Sequence, residues 1–451
     1  MSDLDIKHVL PESISELSVF VTNFKDEKTE ITGIVNEISI YESIYSPFLY
    51  GELVIIDGAG AFNDIPFIGQ EKIEIIWKRD DVKTTKNFYV IDVFNVTKMQ
   101  QFYGAYGLTI TSEEQMINSV SLFSKAYRGR SDQIVESVYS ENFDKEIDKK
   151  VLGKSKHSVV FPFVKPFQAI DMILKNVLAE DNSMMFLFDT VNHDPDDENK
   201  VFLDSFAHMY EQDPFYTIEQ RLNIETGSTN RLSVEKQGQV NSLDRRGNIL
   251  EETLPKTFPV LDQIVSGAFS SRATILDTSL RTNSIQNFDY KSDFDLLTSD
   301  HISEKYKIRE RSLNELNNTQ HSTVVKNSLA FEDTQFPNLN TVDNLDKQLI
   351  AAWNKRMETT TADLGMDSIN YNLVDSRVTD ENRAFRVGKT VEYKSSIFNS
   401  IFDKNDDKKN KIASGKYLIT CIRHYIKSGK YTMSLELARD GINENVELRD
   451  L

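Results

Sequence analysis

The sequence predicts a mainly β protein with α+β inserts, organised around two similar β-barrel domains in one chain. Three observations predict it. From Leu17 to about Gln115 the chain is a succession of short β-branched and aromatic runs punctuated by Gly, Pro, Asn and Asp. Helical spacing of apolar residues is confined to a few stretches after Ser131. The segment from Gly388 onward repeats the plan of the segment that begins at Gly69.

Residues 1–125 read as the first barrel domain. Its strands are expected at Leu17 to Phe24, Glu30 to Tyr41, Tyr50 to Ile56, Lys72 to Lys78, Phe88 to Thr97 and Ala105 to Thr111. Polar and apolar residues largely alternate from Lys72 to Lys78, as in a sheet with one wet face. Such strands at such spacings read as a small barrel or sandwich.

Residues 126–209 read as an α+β insert. Ile134, Val135, Val138 and Tyr139 fall at helical spacing behind a Ser131 N-cap. Pro166 opens a second helix whose stripe is Ala169, Ile170, Ile173, Leu174, Val177 and Leu178, ending at the polar Glu180 to Ser183. Met184 to Asp189 and Val201 to Ser205 then form a hairpin against it. Residues 210–340 read as an irregular β-rich middle domain, with segments that return to the first barrel. A short helix is expected between Val260 and Phe269, and a strand over Ser322 to Ala330. Residues 341–451 read as a helix carrying Leu345, Leu349, Ile350, Trp353 and Met357, followed by the second barrel domain.

The repeat sets the second barrel beside the first. Gly69 to Ile75 matches Gly388 to Tyr393, Asn87 to Val93 matches Lys416 to Ile422, and Tyr106 to Thr111 matches Tyr431 to Leu437. Each copy ends in a hairpin. The charged run Asp403 to Lys411 is an extra, solvated loop of the second copy. Two barrels per chain make a trimer a pseudo-hexameric ring with true threefold symmetry.

Composition excludes several functions. With 70 acidic against 52 basic residues the formal net charge is −18, contrary to the basic footprint of a general nucleic-acid binder. One cysteine, Cys421, excludes an intramolecular disulfide framework and a multi-cysteine zinc site. No run of apolar residues is long enough to span a bilayer, and the start MSDLDIKHVLPES has no signal-peptide pattern, so a soluble protein made in the cytosol is expected.

No catalytic, cofactor-binding or metal-binding residue is nominated. The chain carries no G-x-S-x-G elbow, H-E-x-x-H, P-loop or dinucleotide fingerprint. Gly58-Ala59-Gly60 reads as a turn, and His193-Asp194-Pro195-Asp196-Asp197-Glu198 as a solvated hairpin turn rather than a calcium loop. The histidines at 8, 157, 193, 208, 301, 321 and 424 are never paired at helical ligand spacing. Cys421 and His424 are three apart on a strand and face opposite sides, so they form no nucleophile-base pair; Cys421 reads as a small buried apolar residue. The many carboxylates leave a hydrolase dyad open without nominating one.

The segments Ser414 to Ile426 and Lys430 to Asp440, with a Gly-x-Tyr strand start, a following His and a closing hairpin strand, carry a family resemblance. Glu42 to Asp57 and the helix and hairpin from Pro166 to Phe188 extend it. The chain resembles the baseplate hub proteins of contractile-tailed, T-even-like bacteriophages, which are related to the barrel part of type VI secretion spike proteins. That resemblance implies tube-type barrels and a homotrimer joining the sixfold tail tube above to the threefold central spike below. It implies contacts with wedge or other baseplate proteins, DNA passing through without specific binding, no membrane anchor and no cofactor. The place implied is the virion tail baseplate, assembled in the host cytoplasm. Since the sequence stops at Leu451, just after the barrel, spike and lysozyme are expected on another polypeptide. Two other readings stand beside it: a spike-type secretion protein without its needle, and a tail-associated peptidoglycan or carbohydrate hydrolase.

Overall fold

The computed structural model describes residues 14–58, 60, 67–79, 82–100, 103–154, 156–181, 183–191, 200–219, 385–394 and 415–438. It also describes the strand segments 249–253, 270–277, 282–289, 307–308, 311–312, 321–326 and 362–366. The helices expected at 260–269 and 345–357, the acidic turn 193–198 and the charged loop 403–411 lie outside the described residues.

The N-terminal strands are β1 (Glu16–Thr22), β2 (Lys28–Glu30), β3 (Val35–Ser43), β4 (Tyr50–Asp57), β5 (Lys72–Arg79), β6 (Val82–Gln100) and β7 (Tyr103–Thr111). Alternation sets their faces: Ile73, Ile75 and Trp77 of β5 are buried while Lys72 is exposed. The strand expected over Glu30 to Tyr41 is interrupted by a 3-10 turn, Thr32–Ile34. There the Thr32 hydroxyl accepts the Val19 N–H (2.8 Å) and Ile31 N–H donates to the Val19 carbonyl (2.8 Å), turning the chain at Gly33. β6 is longer than expected because its first half pairs with β5 and its second half with β7.

The insert follows as α1 (Glu113–Val120), β8 (Phe123–Arg130), α2 (Ser131–Ser140), β9 (Glu146–Lys149), β10 (Lys156–Val164), α3 (Pro166–Leu174), β11 (Met185–Phe188), β12 (Lys200–Ser205) and α4 (Phe206–Glu211). Its own core joins Ile134, Val138 and Tyr139 of α2 to Ile170 and Ile173 of α3 and to Leu187 and Leu203 of the β11–β12 hairpin. Two expectations change. Ser131 is the first helical residue rather than the cap, and the Gln133 side chain accepts the Arg130 N–H (3.2 Å) at that terminus. α3 stops at Leu174, because Asn176 turns its side chain onto the Met172 carbonyl (2.7 Å) and Leu178 bridges to Met184. An ion cluster closes the base of the insert: Lys145 Nζ lies 2.7 Å from Asp189 and 3.0 Å from Glu114. Burial opposes the charge on Lys145, but the two carboxylates outweigh it and hold the ammonium above its usual range.

The later strands are β13 (Tyr216–Glu219), β14 (Ile249–Thr253), β15 (Ser270–Asp277), β16 (Thr282–Asp289), β17 (Lys307–Ile308), β18 (Arg311–Ser312), β19 (His321–Lys326), β20 (Ala362–Met366), β21 (Thr390–Lys394), β22 (Gly415–Lys427) and β23 (Lys430–Ala438). β15, β16 and β19 form a separate sheet, and β19 begins beside the expected strand start at Ser322. β13 and β14 return not to the first strands but to the last, pairing with β21 and β20.

The result is one 13-stranded sheet, in which β14-β20-β23-β22 continues into β3-β4-β7-β6-β5-β1-β2 and β21 and β13 branch from β22. Within it a five-stranded unit occurs twice. The order β3-β4-β7-β6-β5 is matched by β14-β20-β23-β22-β21, antiparallel at every step. The registers agree down to the bulges. Ile91 is the extra residue between the pairs Val90–Ile110 and Asp92–Thr109, as Thr420 is between Ile419–Leu437 and Cys421–Glu436. Asn36 is skipped between Val35–Ile55 and Glu37–Val54, as Leu250 is between Ile249–Met366 and Glu251–Gly365.

These registers adjust the sequence match. Gln70 N–H donates to the Val90 carbonyl (2.7 Å) as Gly388 N–H donates to the Ile419 carbonyl (3.0 Å), so Gly388 corresponds to Gln70 rather than to Gly69. Both carry left-handed backbone, φ 79° and 81°. Likewise Leu108 corresponds to Leu435, which places Tyr106 with Met433 rather than with Tyr431.

Gly388 needs to be glycine twice over. Beyond its positive φ, a Cβ there would sit 2.9 Å from the Phe188 ring of the insert. Gly429, in the Ser428-Gly429 turn of the β22–β23 hairpin, also has positive φ (73°) but open space around it. Gly429→Ala should therefore cost only the conformational ~1 kcal/mol, and Gly388→Ala at least twice that, as read by urea midpoints.

Candidate assembly interface

The residues that bind the chain's two halves lie where β3 meets β22. Cys421 to Lys427 pair antiparallel with Ser43 to Glu37, and alternation sorts the ladder into two faces. On one face Lys427 Nζ reaches Glu37 Oε1 (2.5 Å), Arg423 Nη2 donates to Ser39 Oγ (2.9 Å), and Cys421 Sγ lies 3.1 Å from Ser43 Oγ. The Arg423 guanidinium also sits over the Tyr425 ring, 4.7 Å from its centroid. The Lys427 hydrogen bond holds the Glu37 carboxyl below its usual range.

The other face is buried. Ile38, Ile40, Ile422 and Ile426 pack there with two polar residues in phase, Glu42 and His424, each 1% exposed. Glu42 Oε2 accepts the N–H of Val191, from the insert (2.6 Å). His424 Nδ1 is hydrogen-bonded to the Tyr431 hydroxyl of β23 (2.6 Å). Glu42 Oε1 and His424 Nε2, otherwise without a partner, stand 3.4 Å apart. This chain of groups ties together the first unit, the second unit and the insert, and it sits inside one continuous apolar core.

The insert is also fastened to both units. Phe48, between β3 and β4 of the first unit, stacks on Phe167 at the start of α3, whose N–H is held within the insert by Asn118 of α1 (2.9 Å). On the other side Thr390 Oγ1 donates to the Gln212 carbonyl (2.8 Å), and Arg386 lies over the Phe202 ring.

The sequence placed Cys421 and His424 on opposite faces of a strand, and the structure does so. Cys421 is partly rather than fully buried; burial, with the Glu436 carboxylate adding to it, pushes its thiol up to about 12. Gly60 turns with φ 81° and donates its N–H to Asp57 Oδ1 (2.7 Å). Among the described residues no three His, Cys, Asp or Glu side chains stand together as a metal site, and no helix is long and apolar enough to cross a membrane. Sequence reading passed over Glu42, Val191 and Tyr431. Its missed signal was phase: Glu42 interrupts Ile38, Ile40 and Ile44, and His424 interrupts Ile422 and Ile426.

This architecture has solved counterparts. A tail protein from Neisseria meningitidis MC58 superposes with a TM-score of 0.51 at 12% identity, covering 95% of this chain and 98% of that one. The fold is that of a tail protein. The 43 kDa tail protein of prophage MuSo2 from Shewanella oneidensis gives a TM-score of 0.49 at 8% identity over 94% of this chain and 99% of that one. The E. coli c3393 protein, a component of the type VI secretion system, gives 0.43 at 8% identity over 92% and 74%. No protein-family model matches the sequence, and no curated protein matches it.

Glu42→Ala strands the Val191 N–H and removes the neighbour of His424 in a buried site, so urea denaturation should show a loss of ~3–5 kcal/mol. A loss below about 1 kcal/mol would mean the cluster is not holding the junction. Cys421 should resist alkylation at pH 8 in the folded protein and label fully on unfolding, as followed by intact mass.

Proposed function

We propose that this protein is a structural component of a phage tail baseplate: a trimeric hub adaptor that joins a sixfold tail tube to a threefold central spike. The observation that carries the reading is the twice-repeated five-stranded unit with both bulges in register. Three chains would present six near-equivalent units to a six-subunit ring while keeping threefold symmetry for the spike. The tail-protein fold supports the same reading.

In this reading the two units act as the tube-type barrel domains, and β13 and β14 belong with the second of them. The chain has neighbours above (tail tube), below (spike) and around it (wedge or other baseplate proteins). Its work is mechanical: completing the end of the tube, holding the spike until contraction, and leaving a channel for DNA. The formal charge of −18 per chain suits a conduit, since duplex DNA adheres through Lys and Arg contacts to phosphate. Catalysis has no part in it, and the Cys421 and His424 side chains are held apart on opposite faces.

Light scattering of the purified chain, alone and with its spike, tests the reading. A trimer whose projection images carry six lobes is expected. A monomer under both conditions, or clearing of cell walls on a zymogram, would overturn it.

A further inference from the structure

The junction between the two units inside the chain specifies how one chain meets the next. Inside the chain, β3 of the first unit lies along Cys421–Lys427 of β22 in the second. The unit-to-unit registers make β14 the second unit's version of β3, and β6 the first unit's version of β22. Both corresponding edges are unused among the described residues. β14 ends the sheet with β20 on one side only, and beyond Val90 no described strand pairs with β6 on its β5 side.

The β6 edge has the features of a strand awaiting a neighbour. Ile91 is 44% and Val96 60% exposed. Two of its backbone groups are met by the segment's own side chains: Val93 N–H by Asp92 Oδ1 (2.9 Å), and the Asn95 carbonyl by the Thr97 hydroxyl (3.2 Å). The left-handed Asn95 (φ 52°) and a register shift between Phe94 and Thr97 kink the edge, a device that hinders indiscriminate pairing.

We infer that β6 pairs antiparallel with β14 of a second copy of this chain, repeating the β22–β3 junction between molecules. This rests on the hub reading and gives it a residue-level contact. The register carries over directly. Tyr425 stands opposite Thr432 as Thr97 stands opposite Ala105, so Thr97 takes the place of Tyr425 and Lys98 that of Ile426. Through β4 and β20, Ser39 corresponds to Thr253 and Ile38 to Glu252. Tyr425 pairs with Ser39 and Ile426 with Ile38, so Thr97 is set opposite Thr253 and Lys98 opposite Glu252 of the neighbouring copy. Each chain then offers one edge of each kind. The contact is heterologous, head to tail, and closes into a ring when the rotation per chain allows.

Disulfide trapping in the full chain, with Cys421→Ala, tests this. Thr97→Cys with Thr253→Cys, and Lys98→Cys with Glu252→Cys, sample the two pair types of an antiparallel ladder, so at least one in-register pair should oxidise. Covalent dimers and trimers, and nothing larger, are expected, while the off-register pair Thr97→Cys with Glu252→Cys stays uncross-linked. A trimer by light scattering without a cross-link from either in-register pair would overturn the inference and leave the hub reading standing. A monomer without cross-links would overturn both, and a cross-link within a single chain would overturn the inference. A ladder running past the trimer would keep the strand pairing and overturn the trimer. In the unmodified chain, amide exchange over Val93–Lys98 should slow about tenfold or more on assembly; unchanged exchange in an assembled trimer would also overturn the inference.

Discussion

The antiparallel ladder between β3 and β22 is the constraint on which the rest depends. Without it the chain would be two sheet units joined by a long middle stretch. With it the apolar faces of both units merge into one core, and the buried pair Glu42 and His424 gains its setting. The two faces of the ladder do different work. The open face is held by Lys427 with Glu37 and by Arg423 with Ser39, contacts that water and salt weaken. The closed face is held by isoleucines and by a polar chain whose members are costly to strand, so it fixes register rather than adding affinity.

That division explains why the insert is tied where it is. Its backbone supplies the Val191 N–H that completes Glu42, and its Phe188 ring lies where a side chain at Gly388 would be. A rotation of one unit against the other would break both contacts at once. The insert therefore couples the two units mechanically, so that neither can turn without disturbing it.

Much of the fold was legible in the residues. Alternation located most strands of the first unit, Pro166 marked the first turn of α3, and Met184 to Ser205 read correctly as a hairpin. The repeat was visible from Gly388, Tyr417 and Leu435, and Asn87 to Val93 matched Lys416 to Ile422 in register, but the blocks on either side did not. Matching glycines misaligned the first of these by one, because Gln70 tolerates the left-handed backbone that Gly388 takes up in the second unit. Bulges leave no mark in a single sequence, so the strongest sign of duplication emerged only from strand pairing. The destination of β13 and β14 was hidden for a related reason: pairing between distant segments is not encoded locally. The junction was half legible, since a Glu and a His on an isoleucine phase are a readable anomaly, while their closeness is not.

Native-state hydrogen exchange over the ladder tests the central claim most directly. If β3 and β22 fuse the units, the amides of Glu37–Ser43 and Cys421–Lys427 will exchange with those of β4, β7 and β23 in one global opening. Exchange of the two ladder strands at a lower free energy than the strands flanking them, with each unit protected independently, would contradict it.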